Sequence, residues 1–307
     1  MTAWVLVGVL PLALTASPPT PRSARRPGPR PGPLPDIEWH PAPPPQGSLV
    51  VLSVKSGTIP ALPVTGTLAD EPLHFESHAD SVAIALGAVP LSAADTVVAH
   101  VVLGAADTFS VSIPVAQRQV DREALRTAPR FTRRPDAALA RRIARERARI
   151  ADALAETHTR PRLWSEPFLR PRASAIRSEF GLEREFNGVV ESRHLGVDFA
   201  GRRGDPVHAA NRGVVTLVAP LFYSGRTIFI DHGAGLVTGY LHLDRALVAP
   251  GDTVARGQLI GRVGATGRVT GPHLHWLAHY GRILIDPLDL VTLDLTPYTG
   301  EPARARP

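Results

Sequence analysis

The sequence predicts a mainly β protein: an N-terminal β-sandwich-like domain, a helical linker and a second β-rich domain. Three observations carry that reading. Short β-branched runs separated by Gly, Pro and Asp fill residues 47–115, one amphipathic stripe lies between residues 136 and 157, and from Trp164 to Pro287 glycines punctuate strand-length runs. Short runs bounded by turn residues mark strands, whereas apolar residues three and four apart mark a helix.

At 307 residues and 32.8 kDa the chain has room for about two domains of ~100–200 residues each. Its 34 basic and 28 acidic residues leave a net charge of +6, and Lys55 is the only lysine. A basic exported protein is drawn to anionic polymers such as wall material or membrane surfaces, although the same arginines also fit scattered solvated faces. There is no cysteine, which excludes disulfides, thiolate metal ligands, a cysteine nucleophile and lipid attachment through an N-terminal cysteine. Any zinc site must therefore use His, Asp or Glu.

In chain order, Ala3 to Ala16 is an apolar run followed by small residues, and residues 1–17 are read as a signal peptide although no Lys or Arg precedes the run. The run is too short to span a membrane, which takes ~20 residues. Export to the periplasm, cell wall or exterior is the expectation. Residues 18–46 are crowded with prolines and read as a disordered, partly polyproline spacer. The β-domain over 47–115 has strand candidates at residues 49–54, 82–86, 96–103 and 109–113, and its His74, His78 and His100 lack metal spacing and read as surface or turn residues. The helical linker covers 116–160: Asp136 reads as the N-cap of a helix running to about Thr157, with Leu139, Ile143, Ile150 and Leu154 on one stripe. Five arginines on its other faces raise a nucleic-acid helix, but no aromatic or motif context accompanies them, and no nucleic-acid partner is expected. The second domain covers 161–291, with strands expected at 213–219, 227–231, 236–243, 259–263 and 273–278, and residues 292–307 form a tail.

The chemistry concentrates on His273-Leu274-His275. In a strand, residues two apart share a face, so both imidazoles can point into one cleft. Taken alone, the pair also fits two strand histidines bonded to nearby carbonyls. Upstream, His194 and Asp198 are spaced four apart around Gly196, which suits a strand or bent loop, and His242 stands in Tyr240-Leu241-His242-Leu243. A catalytic zinc keeps about three protein ligands and leaves one position to water. His194, Asp198 and one of His273/His275 make such a set, leaving His242 and the other member to act on water and substrate. Tyr240, two residues before His242, is expected either to bind substrate or to pack. His208, His232 and His279 are expected to be structural. Asp205, Asp231 and Asp286 read as turn or strand-end residues, any of which could orient a ligand histidine.

These residues carry a resemblance. The segment from about Trp164 to Pro287 resembles peptidase family M23, the lysostaphin or LytM-type zinc endopeptidases, through His194-Leu195-Gly196-Val197-Asp198, Tyr240-Leu241-His242-Leu243 and His273-Leu274-His275. Ser178-Glu179-Phe180-Gly181, Asp231-His232-Gly233 and Thr270-Gly271-Pro272 support it. The resemblance implies one zinc per chain held by His194, Asp198 and His275, with His242 and His273 as the catalytic pair. It also implies a lysostaphin-like antiparallel sheet lining a groove for an extended peptide, and peptidoglycan peptide bridges as substrate. Inhibition by the N-terminal domain or the linker helix is a further expectation.

Three other readings compete, one of them a pure wall-binding or structural protein whose histidines are buried for packing and which binds no metal. A catalytically inactive LytM-like activator of a cell-wall amidase would lack one or more ligands, whereas this chain keeps all five positions. The rhythm of residues 248–261 is also similar to lipoyl or biotinyl carrier domains, but those attach their cofactor to a lysine, and Lys55 lies in the other domain.

Overall fold

The computed structural model describes residues 35–57, 63–79, 81–104 and 107–298. The expected signal segment and most of the expected spacer lie outside them. The spacer ends earlier than its composition suggests. Asp36–His40 forms the first strand, β1, paired antiparallel with β2 (Leu49–Lys55). An edge strand tolerates neighbouring prolines because its outer N–H groups face no partner.

The N-terminal domain continues with β3 (Val64–Leu68), β4 (Glu71–Leu73), β5 (Glu76–Ala79), β6 (Val82–Ala88), β7 (Thr96–Leu103) and β8 (Asp107–Pro114). They form two four-stranded sheets in the orders β1-β2-β6-β5 and β4-β3-β7-β8. Alternation along β2 sends Val50 and Leu52 between the sheets, where they meet Leu68, Ala99 and Ile113. The opposite face of the first sheet is buried too. Leu49, Ile84, Leu86 and Ala88 join one core with Phe180, Phe199, Trp276 and Ile285 of the C-terminal half. This explains why Val82-Ala83-Ile84-Ala85-Leu86 is apolar without a break, since a strand covered on both faces has no polar side. Each large aliphatic side chain buried at this seam contributes roughly 1.5–3 kcal/mol, more than exposed ion pairs such as Lys55–Glu38 at about 0–1 kcal/mol.

Between the halves run β9 (Arg122–Leu125) and α1 (Ala137–Leu154). The Asp136 carboxylate accepts from Leu139 N at 2.8 Å and caps α1. Ile150 and Leu154 pack on Leu217, Phe229, Leu241 and Leu277, so the helix docks on the C-terminal sheet and not midway between domains.

The C-terminal half holds β10 (Ile176–Ser178), β11 (Glu183–Phe186), β12 (Val190–Arg193), β13 (Val197–Ala200), β14 (Pro206–His208), β15 (Gly213–Leu221) and β16 (Gly225–Gly233). It continues with β17 (Leu236–Ala246), β18 (Thr253–Val254), β19 (Leu259–Val263), β20 (His273–Tyr280), β21 (Ile283–Ile285) and α2 (Asp289–Thr292). A ten-stranded antiparallel sheet runs β10-β13-β20-β17-β16-β15-β18, with β19 on β17 and β14, and β21 on β20. The hairpin of β11 and β12 is widened by β9, which pairs parallel with β11. The short helix α2 and buried Leu295 tie down part of the segment expected as a tail. No helix among the described residues is long and apolar enough to cross a membrane.

Polar contacts lock the seam. Tyr280 donates to Pro72 O at 2.7 Å, Arg162 pairs with Glu76, and buried Glu71 accepts from Arg282 at 3.1 Å and faces His158 Nε2 at 2.9 Å. His74, in the turn between β4 and β5 as the surface-or-turn reading allows, is half-buried and stacks on His158.

Leu49 N donates to Asp289 Oδ2 at 2.8 Å. Burial, with the Asp286 charge beside it, pushes the Asp289 carboxyl from 3.8 up to about 7. The native state therefore binds an extra proton between those pH values, and its contribution to stability is lost as pH rises through about 7. Asp289→Asn keeps the acceptor and removes the charge. We expect it to be more stable than the parent at pH 8 by roughly 1–2 kcal/mol, the gap narrowing as pH falls towards 4. Melting curves across that range check this, and a pH-independent gap would contradict it.

Candidate metal centre

The site is assembled by strand register. β13 and β20 pair antiparallel with Asp198 opposite His275 and Ala200 opposite His273. The side-chain period of two puts His273 and His275 on one face, while Leu274 and Trp276 point into the core. Ahead of β13 the chain bends at Gly196 and brings in His194. A side chain at Gly196 would meet Trp276 O at 2.5 Å and His275 Nε2 at 2.6 Å, so glycine is required for this close approach.

Three donors converge here. His194 Nε2 lies 3.1 Å from Asp198 Oδ1 and 3.0 Å from His275 Nδ1, and His275 Nδ1 lies 2.8 Å from Asp198 Oδ1. All three residues are buried, at 2, 6 and 8% exposure for His194, Asp198 and His275. His194 Nδ1 sits 2.6 Å from Glu179 O, and a carbonyl can only accept, so the proton is on Nδ1 and Nε2 offers a lone pair. Burial pushes His275 down to about 4 against the pull of Asp198, which keeps its imidazole in the neutral form that can ligate. For Asp198 burial works upward, but the contacts with His194 and His275 outweigh it and hold the carboxyl well below the usual range. Two imidazole nitrogens and a carboxylate oxygen facing one another fit a divalent cation between them, and they form the one such group among the described residues.

Behind the donors lies a set of contacts that the sequence did not reveal. Arg184 Nη2 donates to Asp198 Oδ2 at 2.6 Å and to Ser178 Oγ at 2.6 Å, while Arg184 Nε donates to Glu123 Oε2 at 3.0 Å. Asp198 thus turns one oxygen to the centre and the other to a guanidinium. Neither Arg184 nor Glu123 stands in a motif, and Glu123 reaches the site only because β9 joins β11. The aspartates weighed for this role are elsewhere: Asp205 accepts from Arg172, Asp231 from Arg160 and Thr157, and Asp286 from Arg118.

His242 and His273 flank the centre, their rings 5.0 Å apart, with His242 5.8 Å from the ring of His275. His242 Nδ1 is 2.8 Å from Thr266 O and His273 Nδ1 is 2.9 Å from Gly271 O, so each donates there and leaves Nε2 as acceptor. His273 Nε2 stands 3.6 Å from Asp198 Oδ1. Burial, then the charges of His273 and His275, hold His242 well below the usual imidazole range.

Tyr240 does not share this face. It is fully buried, and its hydroxyl accepts from Ala210 N at 2.8 Å and from Thr238 Oγ1 at 3.0 Å, so it packs and does not touch substrate. The reason lies at His242, whose φ is +63°. The register against β16 shifts between Arg226 and Ile228, and this bulge turns His242 to the cleft while Tyr240 stays in the core. A non-glycine residue in this region carries strain of roughly 1–2 kcal/mol. His232 is structural as expected, held between Arg212 O and Thr238 Oγ1. His279 is buried on the same sheet.

The cleft has two arms. One, of about 150 Å³, is lined by Glu123, Leu125, Asp198, Thr270 and His273; the other, of about 330 Å³, by Ile150, Tyr223, Ser224, His275 and Leu277. His242, Arg184, Phe186 and Arg268 border both.

Residues 192–287 match the model of peptidase family M23. The peptidoglycan DD-endopeptidase ShyA of Vibrio cholerae is 49% identical over 83 residues, 27% of this chain and 19% of that protein. The DD-carboxypeptidase/endopeptidase Mpg of Neisseria meningitidis is 40% identical over 105 residues, 34% of this chain and 24% of that protein. The chain thus matches about a fifth to a quarter of the length of these curated relatives. Among solved structures, one described as a candidate peptidase M23 from Pseudomonas aeruginosa aligns with a TM-score of 0.63 at 26% identity, covering 81% of this chain and 95% of that one. That coverage exceeds the matched domain, so the likeness takes in the N-terminal β-domain as well.

If Arg184 positions Asp198, Arg184→Met should weaken metal binding by about 10- to 100-fold. Competition against a chromophoric chelator measures this, and an unchanged affinity in a folded variant would show that Asp198 needs no such support.

Proposed function

We propose, taking the peptidase family M23 domain at residues 192–287 as the premise, that this protein is an exported zinc metalloendopeptidase hydrolysing peptide bridges of bacterial peptidoglycan. The observation that carries the reading is the convergence of three metal-capable donors, His194, Asp198 and His275, with two imidazoles that each present Nε2 beside them. One zinc per chain is held by those three donors, whose nitrogen and oxygen chemistry and number leave a position for water.

Bound there, zinc supplies a Lewis acid that polarises the scissile carbonyl and lowers the pKa of water towards ~7. The protein's own groups do the rest. His242, kept neutral by burial, accepts a proton at Nε2 from the attacking water. His273, less buried and with its ring 5.0 Å from that of His242, first has to bind a proton at Nε2, and with it stabilises the tetrahedral oxyanion or passes that proton to the leaving amine. Pinning both Nδ1–H groups on backbone carbonyls fixes ring orientation before substrate arrives.

The names of the relatives support a wall peptide as substrate, and the net charge of +6 suits an anionic wall. Export rests on the apolar run from Ala3 to Ala16; recovery of the native protein in the cytoplasm with Met1 intact would contradict it. The amidase-activator reading has no observation in its favour, since all five positions are filled. It would win if His275→Ala left the physiological activity intact.

We also propose that the preceding segments restrain the site, a reading motivated by Leu125 of β9 and Ile150 of α1, which border the cleft. Faster digestion of intact walls by Leu125→Ser than by the parent would support it, and equal rates would remove it. For the activity itself, dialysis against a chelator should abolish wall digestion and zinc should restore it. His242→Ala and His273→Ala should each lower kcat by about 10²- to 10⁴-fold while one zinc stays bound. Digestion that survives chelation would overturn the proposal.

A further inference from the structure

We propose that Arg268 is the substrate-recognition residue of the cleft, binding a free carboxylate of the peptide beside the bond to be cut. The inference rests on the peptidase reading and names the chemistry of the substrate that the site selects.

Two arginines that line the cleft, Arg177 and Arg268, have no counter-ion among the described residues; Arg177 is exposed, whereas Arg268 is partly buried. Among the described residues, no carboxylate pairs with its guanidinium, which lies instead over the rings of Phe186 at 4.2 Å and Tyr223 at 5.0 Å. Other partly buried arginines of the C-terminal half have partners: Arg172 pairs with Asp205 at 2.9 Å, Arg160 with Asp231 at 2.9 Å and Arg184 with Asp198 at 2.6 Å, while Arg226 and Arg262 donate to the backbone carbonyls of Asp244 and Gly204. The acidic groups nearest the cleft are engaged already, Glu123 by Arg184 and Ser178, and Asp198 by Arg184 and the two histidines. Burial disfavours the Arg268 cation, Tyr223 offsets part of this and the nearby Arg184 charge adds to it, so holding the cation there has a cost that an arriving anion would offset.

Its placement is fixed. Arg268 N donates to Tyr223 O at 2.8 Å, and two residues earlier in the same loop Thr266 O receives His242 Nδ1–H at 2.8 Å. Arg268 and the catalytic imidazole are therefore set relative to each other by one loop. Because Arg268 borders both arms of the cleft, a peptide lying across the metal donors passes beside it. Stacking on two aromatic rings orients a planar guanidinium and leaves its N–H fork free for two parallel bonds to a carboxylate.

The test uses the full-length, zinc-loaded protein and two probes: a cross-linked stem-peptide dimer with its carboxyls free, and the same dimer with every carboxyl amidated. Calorimetry measures binding and chromatography measures cleavage, for the parent, Arg268→Gln and Arg268→Lys, each checked for zinc content and melting temperature. The parent should favour the free acid by roughly 10- to 100-fold, the worth of a charge-assisted hydrogen bond. Arg268→Gln should bring that ratio close to one, mainly through KM, with Arg268→Lys in between. A parent that treats both probes alike, or an Arg268→Gln variant that keeps the preference, overturns the assignment while cleavage still upholds the peptidase. Binding preference without cleavage of either probe does the reverse.

Discussion

Everything at the centre depends on one register, the antiparallel pairing of β13 and β20 that sets Asp198 opposite His275. A slip of one residue would send His273 and His275 into the core and expose Leu274 and Trp276. That alternative is closed by packing, because Trp276 and Leu274 are fully buried with Phe199 in the main core. The hydrophobic pattern of the two strands thus fixes the donor geometry. The energy that places a buried carboxylate between two imidazoles comes from apolar burial on the other face of the same sheet.

Around this register the structure adds two devices. The bulge at His242 takes a residue that strand periodicity assigns to the core and turns it to the cleft, at the cost of a left-handed backbone. The loop from Gly264 to Pro272 then receives His242 at Thr266 O, His273 at Gly271 O and Tyr223 O at Arg268 N, so one segment orients the groups that flank the metal donors. The N-terminal β-domain is not a loose appendage. It completes the main core with Leu49, Ile84 and Leu86, and it leads into β9, whose Glu123 braces Arg184 and, through it, Asp198.

Much of this was legible in the sequence. The strands over 213–219, 227–231 and 273–278, the cap at Asp136 and the shared face of His273 and His275 follow from local spacing, and local spacing is what a sequence displays. The grouping of His242 with them and the choice of His275 over His273 rest on the resemblance to peptidase family M23. Of the two roles left open for Tyr240 the structure has the packed one, and the sequence does not separate them because a bulge breaks the period of two without any glycine or proline to announce it. Arg184 and Glu123 were missed because their partners lie 14 and 55–61 residues away and only the parallel pairing of β9 with β11 brings them together. The strand at Asp36–His40 was hidden among prolines, and the union of the two halves was hidden in β6, whose unbroken apolar run records two covered faces but does not say what covers the second.

The most direct test of the account is anomalous diffraction at the zinc absorption edge from crystals of the purified protein. The account predicts one peak per chain bonded to His194 Nε2, Asp198 Oδ1 and His275 Nδ1, with His242 and His273 close by but not ligating. A peak centred on His242, or no peak in protein that digests cell wall, would contradict it.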